Sequence, residues 1–481
     1  MPKVYIGAAF RRFSNRESPR TEKAYGVILD SEYVRRLERI EDMFLARGFH
    51  TCLPHRDEGR WGRVYYHPDA ISALCLRHVA TSDIVFGIAE EGRGIHIEIG
   101  YASGLGGKRI LLLYHEECEP STLIWGLPGT QSRWEPPHPL ADVVIRSYTD
   151  EQDLLQKIGD TLGEWFPGAA GVAGQGFGRT RVGVIDLGSH TVKLKVLDFH
   201  PGAQPIPAHE EKRSLGIIDD VLQTGRFSDE TIAAVVGLVS EWKSKCDGLG
   251  ARAIRVTGTA ALRKAENSSA LTGALTAATD LSLEVLSPET ELDLVYAGVQ
   301  STMTGDQRLA VLNLGGGSTQ LGIGSRGEPP ARFLFDFGTR ALTEHWPWKD
   351  RFHQKDFDEM LSFASGRMEQ SCRDGVPKVR TIVHTGGELD FLLKCRVPMS
   401  VCDLSPTHVS ELSLSEFTAF AARFAAMQAS EVADQFGLDP AWASGSVASN
   451  AILLAAARLV GAERIVPSNF NVADGLALTT G

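Results

Sequence analysis

Four short stretches in the C-terminal part of the chain gather residues able to handle phosphate. The first, Val184-Ile-Asp186-Leu-Gly188-Ser189-His190-Thr-Val-Lys193, sets an acid at the end of an apolar run and follows it with a Gly-Ser pair. Such a turn can offer backbone N–H groups to phosphate oxygens while the acid holds a hydrated Mg²⁺. Ordinary turn chemistry fits the same residues. The second, Asn313-Leu-Gly315-Gly316-Gly317-Ser318-Thr319-Gln320, is more unusual. Three successive glycines between strand-like runs cost conformational entropy, and they make sense where backbone must approach a ligand closely; a bulge or flexible hairpin is the plainer alternative. Between these turns lie Thr259 to Asn267, which contains Arg263, and Ser287-Pro288-Glu289-Thr290-Glu291. Ser followed by Pro is a good helix start, where Glu289 and Glu291 would complement the helix dipole.

A fifth stretch lies near the N-terminus. Asp83 opens an apolar run that leads through Gly92-Arg93-Gly94 to Glu98 and Gly100-Tyr101-Ala102. The pattern predicts strand, Gly-rich loop and helix, with Glu98 in the first helical turn. A carboxylate there is stabilised as the anion and stands near the strand's carboxyl end, where ligands of open α/β sheets bind. An ionised carboxylate is what attack on an anomeric carbon requires; a structural acid complementing the dipole is the other reading.

These groups need elements to hold them. In the N-terminal part, strand-like runs (Val4 to Ala8, Asp83 to Ile88, Arg109 to Tyr114) alternate with helical patterns (Tyr33 to Arg47, Pro68 to Ala80, Glu98 to Leu105), which predicts an α/β domain with a doubly wound parallel sheet of the flavodoxin-like kind. The segment 168–180 is small and Gly-rich and reads as a linker. Beyond it, Val182 to Phe199 and Leu309 to Gly324 both read as strand, turn, strand, so two related lobes are expected. Helices are predicted over Asp229 to Lys245, Leu414 to Phe436 and Val447 to Leu459. The expected division is 1–167, linker 168–180, lobe I 181–300 and lobe II 301–481, in line with domains of roughly 100–200 residues.

In their order, over about 300 residues, the four C-terminal motifs resemble the Ppx/GppA (exopolyphosphatase/guanosine pentaphosphatase) family. That family has DLGSNS and DIGGGSTE at the two turns, T-x-x-x-R-x-A-x-N between them and E-E-A-R at the helix start. The resemblance implies a two-lobed, actin-like (ribonuclease H-like) phosphohydrolase. It implies phosphate held by Gly188, Ser189, His190, Lys193, Arg263, Gly315, Gly316, Gly317, Ser318 and Thr319, Mg²⁺ held at Asp186 and Asn313, and Glu291 as the catalytic acid that orients or deprotonates water. Phosphoryl transfer is mostly positioning and charge neutralisation, so such a set suffices. The chain departs from the pattern: Asn313 and Gln320 stand where the family has Asp and Glu, Thr290-Glu291-Leu292-Asp293 keeps one of two acids, His190 replaces Asn, and Ala473-Asp474-Gly475 replaces R-E-G. Neutral amides weaken Mg²⁺ binding and exclude base catalysis at Gln320.

The N-terminal pattern, with His55-Arg56-Asp57-Glu58 and Trp61-Gly62, resembles the nucleoside 2-deoxyribosyltransferase family and its N-glycosidase relatives over about residues 3 to 115. By that resemblance Glu98 is the nucleophile, Asp83 and Gly94 contact substrate, and Arg56, Arg60 and Arg93 are candidates for a 5′-phosphate. Gly92 replaces an Asp of several transferases, which favours hydrolysis over transfer. Together the two likenesses predict a bifunctional nucleotide hydrolase; the alternative is a glycosidase regulated by a catalytically weak nucleotide-sensing module.

Composition narrows the partners. The 481 residues carry 49 Lys+Arg against 60 Asp+Glu, a formal net charge of −11, which opposes general binding to nucleic acid or anionic lipid. A small-molecule nucleotide or phosphate chain is the expected partner, and the resemblance leaves a homodimer open. The 7 cysteines are odd in number and scattered, without a Cys/His cluster, so reduced thiols are expected. The N-terminus lacks a signal-peptide pattern and no apolar run approaches the ~20 residues that span a bilayer. A cytoplasmic protein is the expectation.

Overall fold

The computed structural model describes residues 2–9, 31–62, 66–89, 94–118, 142–167, 180–199, 205–347, 354–372, 375–438 and 440–479, with a few isolated positions. Residues 168–179 of the expected linker lie outside the described residues, and its last residue, Thr180, already opens a strand. Two compact units are distinguished, one made chiefly of residues 1–179 and the other chiefly of 180–481.

In the first unit five strands, β1 (Lys3–Gly7), β2 (His50–Cys52), β3 (Ile84–Ile88), β4 (Arg109–His115) and β5 (Asp142–Tyr148), form a sheet in the order β2-β1-β3-β4-β5. All four pairings are parallel. Alternate strand residues face opposite sides. Val4, Ile6, Phe86 and Leu111 pack with Leu37, Ile40, Leu154 and Ile158 of the helices Ser31–Leu45 and Glu151–Trp165. Tyr5, Val85, Ile110 and Leu112 pack with Val79, Ile95 and Ile99 of the helices Pro68–Ala80 and Gly94–Leu105. Helices therefore cover both faces, and near-continuous apolar strands such as IVFGI follow from burial on two sides. The chain leaves β1 toward β2 and returns to β3 on β1's other flank, which makes the carboxyl ends of β1 and β3 the switch point of the sheet.

The second unit holds two sheets of matching plan. Strands β6 (Thr180–Leu187), β7 (Thr191–Phe199), β8 (Ile206–Ser214), β9 (Ala253–Gly258) and β10 (Leu283–Val285) are ordered β10-β9-β6-β7-β8. Strands β11 (Leu309–Leu314), β12 (Thr319–Gly324), β13 (Ala331–Phe335), β14 (Thr381–His384), β15 (Ser400–Val401), β16 (Ser410–Ser413) and β17 (Arg464–Pro467) are ordered β13-β12-β11-β14-β17-β16-β15. In each, an antiparallel hairpin (β6/β7, β11/β12) is continued by a parallel partner (β9, β14). A single buried cluster joins the two: Val182, Val184 and Leu197 from the first sheet and Val311, Val383 and Val466 from the second meet Val295 and Val299 of the helix Pro288–Thr302 and Ala473 and Leu476 of the helix Val472–Leu478. Those two helices cross so tightly that a Cβ on Gly475 would lie 1.7 Å from the Leu294 carbonyl oxygen. Only glycine permits that approach.

Several boundaries differ from expectation, three of them in the second unit with a consequence for its packing. The predicted helix Leu414 to Phe436 is two helices, Leu414–Ala425 and Ala429–Phe436, because Gln428 and Glu431 build a fresh capping box that restarts the chain. The lobe boundary drawn at 300/301 cuts the last turn of the helix Pro288–Thr302. The last long helix runs over Pro440–Val460, and its stretch Trp442–Val460 is long and apolar enough to cross a membrane by length and composition, the one such helix among the described residues. Most of that stretch is buried, packed against the helices Gln354–Ser371 and Leu414–Ala425. All seven cysteines are free.

Candidate functional site

In the second unit the two hairpins present equivalent positions. Asp186 and Asn313 are each the penultimate residue of their strand, and the residues directly opposite them are Lys193 and Gln320. Asp186 lies on the face of Val182 and Val184, and Asn313 on the face of Val311, so both front the shared core cluster and the start of the helix Pro288–Thr302. Ser287 caps that helix by accepting from Thr290 N, which sets Glu291 in its first turn. Glu291 is buried. Its Oε2 accepts from Arg263 Nη1 at 3.2 Å and its Oε1 from Asn313 Nδ2 at 3.2 Å. Arg263 also donates to Leu286 O at 2.7 Å, which fixes its fork. Asn313 Nδ2 further donates to Gln320 Oε1 at 2.7 Å, and Gln320 Nε2 donates to Ser318 Oγ at 2.9 Å. The amide orientation follows from Glu291, because a turned Asn313 would set carbonyl oxygen against carboxylate.

The hairpin turns themselves come together. A Cβ on Gly316 would lie 2.7 Å from His190 Cδ2, and one on Gly317 would lie 3.3 Å from Ala260 Cβ and 3.8 Å from Ser189 Oγ. The glycines thus admit the first turn, with His190 lying against the second. Gly188 is equally constrained, since its Cβ would meet Thr191 O at 2.6 Å. Arg340 bridges the same region: its backbone N donates to Gly316 O and its side chain pairs with Asp219 at 2.9 Å. Burial pushes the His190 imidazole below its ordinary value, with Asp219 opposing and Arg340 assisting.

Burial pushes the Glu291 carboxyl above the usual range against the pull of Arg263, and Asp186 adds to the rise. Asp186 is also raised by burial, opposed by Lys193. Its Oδ1 is buried without a hydrogen-bond partner, as is Oγ1 of Thr257, the residue beside it on β9. The sequence expectation therefore brings together Asp186, Gly188, Ser189, His190, Lys193, Arg263, Glu291, Asn313, Gly315, Gly316, Gly317 and Ser318. Thr319 is the exception. It faces the other way along β12 and its hydroxyl donates to Phe337 O at 2.8 Å, so it braces the loop instead of facing the cleft. Sequence reasoning missed Lys195, buried on Asp474 at 2.7 Å and near Glu210. Nothing in the local pattern marks a pair separated by 279 positions.

A scan of this chain against family models matches residues 197–480, more than half of it, to the Ppx/GppA phosphatase family. The chain belongs to the Ppx/GppA phosphatase family. It is 28% identical over 167 residues to exopolyphosphatase 1 of Mycobacterium tuberculosis, a match covering 34% of this chain and 48% of the relative. The match thus spans about half the length of that curated relative. Exopolyphosphatase 2 of the same organism is 24% identical over 315 residues, 62% of this chain and 98% of the relative. Among solved structures, the Ppx/GppA protein of Aquifex aeolicus superposes with a TM-score of 0.55 at 22% identity, covering 63% of this chain and 97% of its own. That likeness establishes the α/β fold shared with actin-like Ppx/GppA proteins.

Divalent-metal dependence is general in this family. The residues here do not fit such an ion. Asn313 turns an N–H donor toward the acids, both Glu291 oxygens are engaged, and Lys193 stands opposite Asp186. Among the described residues no group of three or more His, Cys, Asp or Glu side chains is arranged to hold a metal.

In the first unit the helix begins at Gly94, so Glu98 lies a full turn inside it and not in the first turn. Its carboxylate reaches the end of β1: a Cβ on Gly7 would lie 2.8 Å from Glu98 Oε2 and 2.4 Å from Ile95 Cδ1. Tyr5, buried on the same face, hydrogen-bonds this carboxylate. Burial pushes Glu98 above the usual carboxylate range and Tyr5 holds it down. His55 packs edge-on against Tyr33 and beside the backbone of Ala8 and Ala9, and burial pushes it down to about 4. A cavity of about 320 Å³ opens by the carboxyl ends of β4 and β5, lined by Tyr33, Arg36, His115 and Tyr148 among others.

Two expected ligands of this unit are placed otherwise. Asp83 precedes β3 and accepts from the Lys3 backbone N at 2.7 Å. It thereby ties the amino ends of β3 and β1, the end of the sheet opposite Glu98. Arg56 is 2% exposed and pairs with Glu41 through two nitrogens and with Asp57 through a third. It is a core ion pair and does not present its charge to a phosphate. Gly92 and Arg93 lie outside the described residues. Tyr5 and Gly7 were missed; their only sequence signal is an aromatic and a glycine on one face of the first strand.

Proposed function

We propose that the C-terminal unit releases phosphate by hydrolysis from a phosphate chain or a nucleotide. Water oxygen attacks the terminal phosphorus, Glu291 takes the proton, and the P–O bond to the penultimate phosphate breaks with its electron pair on the bridging oxygen. The carrying observation is Glu291 buried where both glycine turns converge, with Arg263 beside it. A buried base above the usual carboxylate range accepts a proton more readily than an exposed one, and Arg263 and Lys193 neutralise charge on the leaving chain. The test supplies polyphosphate, nucleoside triphosphates and ppGpp to the full chain and measures free phosphate. Release abolished in Glu291→Gln is expected. Tight binding with no release would sink the hydrolytic reading and favour a nucleotide-sensing module, the role for which the amides Asn313 and Gln320 speak.

A second activity is supported by Glu98. The strand order β2-β1-β3-β4-β5 supports a flavodoxin-like reading of this sheet, with Glu98 at its switch point. In this reading Glu98 attacks the anomeric carbon of a nucleoside or nucleotide, the C–N bond breaks with its pair on the base, and water then displaces the carboxylate. Chromatography of free base from a nucleotide and NAD panel tests it. Base release that persists in Glu98→Gln removes the proposal.

A further inference from the structure

The charges at the hairpin ends carry a consequence for what accompanies the phosphate. At the hairpin ends the acids Asp186 and Glu291 are met by the cations Lys193 and Arg263, two negative groups and two positive, with the Lys195–Asp474 pair nearby. Asn313 and Gln320 add none. They form a hydrogen-bonded chain that starts at Glu291 and ends at Ser318. A carboxylate in place of Asn313 would lose the donors to Glu291 and Gln320 and stand within hydrogen-bond distance of two acceptors, and one in place of Gln320 would add a further negative charge beside Glu291 and Asn313. Such a cluster would need a cation to exist at low cost. The amides remove that need, and Arg263 and Asn313 between them occupy both oxygens of Glu291. What remains open is the carboxylate of Asp186, with its Oδ1 buried beside the hydroxyl of Thr257 and both of those atoms without partners. Lys193 faces the same spot from β7. A single carboxylate with an ammonium opposite it is a poor seat for a divalent ion, which seeks several oxygens and net negative charge. It is a fair seat for a phosphate that brings its own charge to an ammonium and a hydroxyl.

We propose that this cleft takes its phosphate group as the free anion, held by Lys193, Arg263 and the glycine turns, without a divalent cation. The inference rests on the reading of the cleft as a phosphate site. Titration calorimetry of the full chain with inorganic phosphate, in EDTA and in millimolar Mg²⁺, tests it. Dissociation constants within twofold of one another are expected for the native chain. Affinity tenfold or more higher in Mg²⁺ would overturn the proposal while leaving the phosphate site standing; heat absent in both buffers would overturn the phosphate site itself. The double substitution Asn313→Asp, Gln320→Glu is expected to weaken binding in EDTA at least tenfold and to recover in Mg²⁺. Because that pair could disturb folding, Lys193→Met gives a second check: a loss of at least tenfold in EDTA supports the proposal, and unchanged affinity overturns it. Mn²⁺ added to the native chain is expected to keep its free-ion paramagnetic resonance signal in the presence of phosphate.

Discussion

Glu98 and Glu291 are the same residue in opposite company. Glu98, at the end of a parallel sheet, is hydrogen-bonded by a neutral phenol, Tyr5, and faces the bare backbone of Gly7. Glu291, between two antiparallel hairpins, lies between a guanidinium and an amide. Burial raises both above the usual carboxylate range. The difference is what opposes that rise: a neutral hydroxyl at Glu98, a cation and an amide at Glu291. In the proposed reactions the first arrangement suits a nucleophile and the second a positioned proton acceptor. A carboxylate's partners, more than its burial, decide which chemistry it suits.

The contrast can be broken most severely by removing each acid. Glu98→Gln and Glu291→Gln are each expected to lower their own reaction, base release and phosphate release respectively, by roughly a hundred- to ten-thousand-fold, and to leave the other unchanged. Loss of both reactions in either variant would abolish the distinction. Arg56→Ala comes next: stranding Glu41 in the core should cost about 3–5 kcal/mol of stability, read by denaturant titration. A raised KM with unchanged stability would return Arg56 to the role of a phosphate ligand.

A smaller effect concerns pH. His55 titrates near 4 when folded against 6.5 for the ordinary side chain, so between those values the unfolded chain binds a proton that the folded one refuses. Its contribution to stability is therefore intact above pH 6.5 and falls as the pH drops toward 4, by at most about 1.4 kcal/mol per pH unit. Melting curves of His55→Phe should show a shallower acid slope than the native chain; identical slopes would mean that His55 is protonated where it lies. Smallest is Tyr5→Phe. Losing the hydroxyl that holds Glu98 down should move the acid limb of base release to higher pH, whereas the acid limb of phosphate release should not move.

Much of this was legible before any coordinates. Alternating apolar runs marked the parallel sheet, and the Gly-rich turns at 188–190 and 315–318 marked the paired hairpins with Asp186, Arg263 and Glu291 between them. The misreadings share a cause. Thr319 sits inside a motif, yet one step along a strand reverses its face and sends its hydroxyl to Phe337. Asp83 precedes β3, at the end of the sheet away from Glu98. Arg56 reads from the sequence as a candidate for a 5′-phosphate, and only the packed core shows Glu41 beside it.

The sequence by itself determined periodicity, turn chemistry and which groups are candidates for reaction, since these depend on neighbours along the chain. The tertiary structure alone decided who meets whom: Tyr5 with Glu98, Asn313 with Glu291, His190 with Gly316, Lys195 with Asp474. Those contacts set charge and hydrogen bonding at each site, and they arise from strand order and packing between positions that no local spacing relates.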